Sequence, residues 1–339
     1  MAQNRVLIVG CGGMANKWVE YALQRPDTEI VGLVDISEDN AKKLAERHGL
    51  AAPFFKDVKE GARAVSANLV FDTTIPEVHK TIALAAFEAG CNVMSEKPMA
   101  ATLEDAQEVA AAAEASGKFY AIMQNRRYLR QIRSYRDLVQ EGTIGQVGFV
   151  SADFFIGAHF GGFRDAMKSP LILDMAIHTF DQARLITGAD PVSVYCHEFN
   201  PHGSWYEGNA AAICIFEMSD GSVFNYRGSW CAEGAPTSWE SSWRVNGTKG
   251  TAIWDGKHEP YAEIVKPAEG RVFMNEFERV EAKASELEHE GHYGCLDEMF
   301  AALSEGRKAE TDHTDNMKSM KMVFGALESA AKGQKIVIR

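Results

Sequence analysis

The sequence predicts two domains: an α/β domain built on a parallel sheet, then an α+β domain with a large, mostly antiparallel open sheet. Three observations predict this. A strand runs into a glycine-rich turn and then a helix within the first residues. Strand and helix signals then alternate as far as about residue 124. Near residue 145 the pattern changes to β-rich runs.

The opening turn organises the first domain. Val6 to Val9 is a continuous apolar run, as in a strand buried on both faces. Gly10-Cys11-Gly12-Gly13-Met14-Ala15 follows, with small residues at Gly10, Gly12 and Ala15. Gly10 allows the tight turn, Gly12 lets a pyrophosphate approach the backbone, and Ala15 lets the next helix pack close to the sheet. The pyrophosphate then sits at that helix's positive N-terminus, near Met14 to Asn16. Glu29 to Val34 reads as a second strand ending at Asp35, where a carboxylate is wanted for the ribose hydroxyls. This is a Rossmann dinucleotide-binding pattern. A carboxylate at Asp35 repels a 2′-phosphate, so NAD is expected over NADP. Ser37, with no arginine before Lys42, agrees.

The remaining elements follow in order. Helices are expected after Gly13 to Gln24, from Glu38 to His48 before Gly49, from Pro76 to Glu88, and from a Thr102 cap to Ser116. Strands are expected at Phe54-Phe55, Asn68 to Asp72, Cys91 to Ser95 and Phe119 to Met123. Gly10, Asp35, Thr73, Glu96, Lys97 and Gln124 all lie just past strand ends, where ligands bind in such sheets. In the second half, strands are expected over Gln146 to Ile156, Ala211 to Met218, Ser222 to Trp230, Trp239 to Val245, Thr251 to Trp254 and Ala262 to Val265. One helix is expected from about Leu173 to Thr187. Helices near Tyr293 to Ser304 and His313 to Ala331 and a strand at Lys335 to Ile338 close the chain. Pro267 to His289 is charged and mixed and carries no clear signal. The domain boundaries are thus 1–124 and 125–339, the latter for substrate binding and oligomerisation, with the C-terminal helix and strand returning to the first domain.

Bulk properties restrict the function. The chain has 339 residues, is 46% hydrophobic and carries 47 acids against 35 bases, a net charge of −12. That argues against nucleic-acid and anionic-membrane partners. No signal peptide or transmembrane stretch is recognised, so the cytoplasm is expected. The six cysteines form no Cys-x-x-Cys pair and read as reduced, buried residues. His289-Glu-Gly-His292 does not match a metal motif and reads as a solvated or helix-entry pair, so no metal is expected.

Three places outside the glycine turn carry chemistry. Lys97, in Glu96-Lys97-Pro98 at a strand end, can hydrogen-bond a substrate hydroxyl and stabilise a developing alkoxide. Asp174 and His178 are four apart and share a helix face, where a carboxylate and an imidazole can bind a polyol and exchange a proton with it. Asp181, on the same side, reads as a structural residue. Asn125-Arg126-Arg127-Tyr128 serves either substrate contact or domain linkage.

Together these motifs resemble the Gfo/Idh/MocA oxidoreductase family. The match rests on Gly10-x-Gly12-x-x-Ala15, Thr73-Thr74-Ile75-Pro76 with His79, Glu96-Lys97-Pro98, Asn125 to Tyr128, Gly142-Thr-Ile-Gly145 and Asp174-x-x-x-His178-x-x-Asp181. The resemblance implies that Lys97 and His178 are the catalytic pair and that Asp174 helps hold the substrate. It also implies that Thr74, Pro76, His79 and Glu96 line a nicotinamide cofactor. The reaction implied is hydride transfer between NAD and a secondary alcohol of a sugar, inositol or other polyol. His159 and Arg164, flanking Phe160 to Met167, are candidates for substrate specificity. A glycine pair usual before the Asp/His helix is replaced by Lys168-Ser-Pro-Leu-Ile-Leu173. The alternatives are an NAD-dependent glycosidase or epimerase-like enzyme with transient oxidation, and a non-catalytic nucleotide sensor. A homodimer or homotetramer is implied, with one sheet face of the second domain free to pair.

Overall fold

The structure, a computed structural model, describes residues 3–268, 270 and 272–338. The chain divides into two units: Met1–Asn125 with Gly291–Met320, and Arg126–Glu290 with Lys321–Arg339.

The first unit alternates β1 (Asn4–Val9), α1 (Ala15–Gln24), β2 (Thr28–Val34), α2 (Glu38–His48), β3 (Phe54–Phe55), α3 (Val58–Ala64), β4 (Leu69–Asp72), α4 (Pro76–Glu88), β5 (Asn92–Ser95), α5 (Leu103–Ser116) and β6 (Tyr120–Ile122). The six strands form one sheet of order β3-β2-β1-β4-β5-β6, and every pairing in it is parallel. Local chemistry sets the helix ends. Ser37 Oγ accepts the Asn40 amide at 3.4 Å, and Gly49 closes α2 with φ +64°. Thr102 Oγ1 accepts the Asp105 amide at 3.1 Å at the start of α5. The sequence did not announce α3. It is seven residues long, too short for a helical period to register, and rests on the Asp57 side chain accepting the Glu60 amide at 2.8 Å. Val6, Leu7 and Ile8 are fully buried. Trp18 of α1 meets Phe71 of β4 edge-on at 4.9 Å.

The second unit begins with α6 (Arg130–Gln140) and β7 (Val147–Phe155). A π-helical turn (Leu171–Ala176) runs into α7 (Ile177–Thr187). Then come β8 (Pro191–Phe199), β9 (Ala211–Met218), β10 (Val223–Ser229), β11 (Ser242–Gly247), β12 (Gly250–Trp254), β13 (Tyr261–Val265) and β14 (Phe277–Glu281). The chain ends with α8 (Gly291–Glu305), α9 (His313–Lys332) and β15 (Ile336–Val337). Nine strands form one sheet of order β14-β13-β12-β11-β7-β10-β9-β8-β15. Only the β7–β10 pairing among them is parallel. Phe180 of α7 packs edge-on against Phe216 at 4.9 Å and Tyr226 at 5.3 Å on the sheet's buried face.

Several expectations are corrected. The second half holds a further helix, α6, whose buried Ile132, Tyr135 and Leu138 repeat at helical spacing among arginines. The helix expected from Leu173 starts at Leu171, and its first turn is π-wound. Strand β8 was not expected. Strand β11 starts at Ser242 rather than Trp239, because Ser238 Oγ accepts the Glu240 amide at 2.8 Å and the intervening residues turn. The unassigned 267–289 stretch contains β14; Glu269 and Arg271 in it lie outside the described residues. The terminal strand does not join the first unit: β15 pairs with β8, with Ile336 opposite Val194.

Candidate functional site

The nucleotide-binding features gather at the carboxyl ends of the parallel strands in the first unit. Gly10 has φ +86°, and a Cβ there would lie 2.7 Å from Thr74 Cγ2 and 2.9 Å from the Thr73 carbonyl carbon, so only glycine fits. Thr73 Oγ1 donates to the Gly10 carbonyl at 2.6 Å, tying β4 to the turn. Gly12 and Gly13 face open space, with nothing within 4 Å of where a Cβ would stand. The first turn of α1, entered through the exposed Met14, has neither a side-chain cap nor an acidic residue. This helix start therefore has no carboxylate competing with an incoming pyrophosphate. Asp35 accepts the Cys11 amide at 2.6 Å through Oδ2 and the Ser37 amide at 2.7 Å through Oδ1. Each oxygen keeps a second lone pair for a ribose hydroxyl. These residues fit a dinucleotide.

The Glu96-Lys97-Pro98 turn is held from two sides. Glu96, 7% exposed, accepts the Trp18 indole N–H at 2.8 Å and the Lys97 amide at 3.3 Å. Burial pushes its carboxyl pKa up, and the Trp18 hydrogen bond and the Lys97 charge only partly oppose this. The His292 imidazole lies 3.6 Å from the same carboxylate. Of the two readings of His292, helix entry holds and solvation does not: it lies in the first turn of α8, its side chain is 16% exposed, and it faces Glu96. On the other side, His79 is fully buried, with Nδ1 2.7 Å from the Pro98 carbonyl and Nε2 3.2 Å from the Thr74 carbonyl. The Lys97–Pro98 peptide bond is cis. Gln124, past the end of β6, is 1% exposed.

In the second unit, Asp174 lies in the π-helical turn and His178 at the start of α7, 7% exposed. π-Turns recur at functional sites because they re-aim side chains within an otherwise regular helix. Asp174 Oδ2 accepts Arg164 Nε at 2.7 Å, and the Arg164 guanidinium lies over Phe160 at 5.0 Å and Phe163 at 4.7 Å. Arg126 donates to the Trp239 carbonyl, lies 3.3 Å from Glu240, and has Nη2 3.7 Å from Met175 Sδ. Glu240 also accepts Gln182 Nε2 at 2.7 Å, and burial raises its pKa. Sequence reasoning missed Trp239 and Glu240, since a lone acid beside a tryptophan has no spacing signal. His159 stacks on Trp205 at 3.7 Å and meets Glu233 at 2.7 Å near the surface. Tyr128 is 2% exposed beneath the Arg133 guanidinium, at 4.6 Å. Arg127 grips Asp181 with two hydrogen bonds of 2.6 Å, both side chains buried, which fits the structural role assigned to Asp181. Among the described residues, no group of three or more His, Cys, Asp or Glu side chains is placed to hold a metal ion.

A family model described as an oxidoreductase family with an NAD-binding Rossmann fold matches residues 4–124, and the GFO/IDH/MocA C-terminal domain matches residues 132–253. The chain belongs to the Gfo/Idh/MocA oxidoreductase family. Its first unit is an NAD-binding Rossmann domain, and the family resemblance read from the motifs is confirmed. Two relatives within reach of this family carry sugar-related names. The 1,5-anhydro-D-fructose reductase of Ensifer adhaerens is 27% identical over 74% of this chain and 75% of its own. The D-glucoside 3-dehydrogenase of Escherichia coli is 30% identical over 59% of each chain. An oxidoreductase from Agrobacterium radiobacter, solved with NAD+, L-tartaric acid and magnesium, superposes with a TM-score of 0.86 at 19% identity and covers 99% of both chains. That likeness shows a shared fold.

Proposed function

We propose that this Gfo/Idh/MocA protein transfers a hydride between nicotinamide and a secondary alcohol of a sugar, inositol or related polyol. The observation that carries the reading is the Asp174–His178 segment: a carboxylate and a nearly buried imidazole on one turn, where π winding passes into α-helix. The names of the two sugar-related relatives support the substrate class. When bound, the nicotinamide supplies the hydride chemistry. In the oxidation direction His178 takes the hydroxyl proton. Lys97 donates a hydrogen bond to the oxygen as it becomes a carbonyl, and Asp174 holds a hydroxyl of the substrate. Asn125, Arg126, His159 and Arg164 contribute further substrate contacts.

A panel of sugars, inositols and anhydrosugars, read by NADH absorbance, tests the reaction. At least one polyol is expected to reduce NAD; none doing so would end the reading. Lys97→Ala and His178→Ala are expected to lower kcat by about 10²–10⁴-fold while NAD binding persists. Near-normal turnover in either variant would remove that residue from its role.

The same reading prefers NAD, because a 2′-phosphate would meet the Asp35 carboxylate held by the Cys11 and Ser37 amides. Steady-state kinetics with both cofactors are expected to favour NAD by at least about tenfold in kcat/KM. A higher value with NADP would refute it. We place the protein in the cytoplasm on its cysteines, all free among the described residues. No described helix is long and apolar enough to cross a membrane. We also propose a homo-oligomer formed through the outer face of the nine-stranded sheet, where Phe149, Tyr195, Ile213 and Ile215 are each more than 40% exposed.

A further inference from the structure

The second unit holds a cavity of about 720 Å³ whose wall includes Glu233, Thr237, Ser238, Trp239 and Glu240, with Lys257 exposed at its edge. The volume falls within the range of small-molecule sites. A chain of contacts links this wall to Asp174. Glu240 pairs with Arg126 at 3.3 Å, and Arg126 donates to the Trp239 carbonyl. The Trp239 ring lies 6.2 Å from Phe160, Phe160 lies 5.0 Å beneath Arg164, and Arg164 donates to Asp174 at 2.7 Å.

Charge selects what this wall can receive. Arg126 faces Glu240, Arg164 faces Asp174, and His159 faces Glu233 at 2.7 Å. Arg126 and Arg164 are therefore already balanced by carboxylates. An anionic ligand would meet Glu233 and Glu240 of the wall as like charges, with Lys257 at the edge as the opposing cation. A neutral polyol meets no such opposition. Its hydroxyls donate to carboxylate oxygens, which accept only, and its C–H face can lie on an indole. Trp239 is 43% exposed, with ring surface available for that contact.

We propose that this cavity is a subsite for the neutral ring of a sugar or glycoside, read by Trp239 and Glu240, and that it rejects uronates and sugar phosphates. The inference rests on the polyol reading of the Asp174–His178 segment and names the substrate class for it.

The test is equilibrium binding to the NAD-loaded protein, by calorimetry and tryptophan fluorescence. The probes are methyl β-D-glucopyranoside and the corresponding methyl glucuronide. The neutral glycoside is expected to bind at least about tenfold more tightly than the uronate, with Glu240→Gln bringing the ratio towards one. Trp239→Ala is expected to weaken the neutral glycoside about tenfold, and Trp239→Phe, which keeps a ring face, to restore most of it. Thermal melts and NAD titration check that each variant is folded. Trp239 is partly exposed, so its variants remain informative even where the loss of the Glu240 charge beside Arg126 destabilises the chain. Equal or tighter uronate binding, or a neutral-sugar affinity unmoved by either Trp239→Ala or Glu240→Gln, would overturn the subsite. The expected binding pattern without polyol oxidation would sink the redox reading alone. Oxidation with a preference for uronates would sink the subsite alone.

Discussion

The Glu96 carboxylate is withdrawn from water at the end of β5, next to Lys97, and burial lifts its pKa above the ordinary glutamate range. A carboxyl raised in this way binds more protons folded than unfolded over the interval between its two pKa values. Its contribution to stability is therefore full below the unfolded value and is lost as pH rises through the folded one. The charged or polarisable groups facing it are the Trp18 indole, Lys97, His79 and His292. Glu96→Gln keeps an acceptor for Trp18 and removes the titration. Relative to the wild type, its melting temperature is expected to be higher near pH 8 than near pH 5. A difference between the two proteins that does not change with pH would refute the coupling. Gly10 was legible at this scale because its role is a backbone conformation that no side chain shares. Glu240 and His292 were not, since their significance comes from residues distant in sequence that burial brings beside them.

Helix α7 shows what an element contributes beyond its own residues. It carries His178 in its first turn, Phe180 against the sheet, and Asp181 in a buried pair with Arg127. Arg127 and Asp181 are 5% and 2% exposed at the side chain, and Arg184 lies 3.7 Å from the same carboxylate. Removing one partner leaves a buried charge uncompensated, which costs about 3–5 kcal/mol. Asp181→Asn is expected to lower unfolding free energy by that order in urea titrations at neutral pH. A loss below about 1 kcal/mol would show the pair to be incidental. The existence of α7 was legible from its apolar pattern. Its π-wound entry was not, because a widened turn leaves no periodic trace in six residues.

At the scale of the whole chain, connectivity is less simple than the sequence suggested. The chain leaves the first unit at Asn125, returns to it from Gly291 to Met320, and ends in the second. The nine-stranded sheet of that second unit has one face covered by α6 and α7 and another carrying exposed apolar side chains. Ile215 stands opposite Tyr195 on β8, and Ile213 opposite His197. If a second copy covers this face, Ile215→Arg places a charge within that interface. Light scattering is then expected to show a smaller species than the wild type at equal concentration. A wild type that is monomeric at micromolar concentration, or a variant of unchanged mass, would refute the proposed assembly.

Sequence alone determined the parallel-sheet unit almost element by element. Its strands carry continuous apolar runs such as Val6 to Val9, helices such as α2 and α5 are capped by the local residues Ser37 and Thr102, and its glycine turn has a fixed chemical logic. Each of these signals is written within a few neighbouring residues. Only the tertiary structure decided that β8, β14 and β15 complete the nine-stranded sheet. It alone placed His292 against Glu96 and assembled Arg126, Trp239 and Glu240 into one wall. Those arrangements depend on which distant segments burial brings together, and no local spacing encodes that.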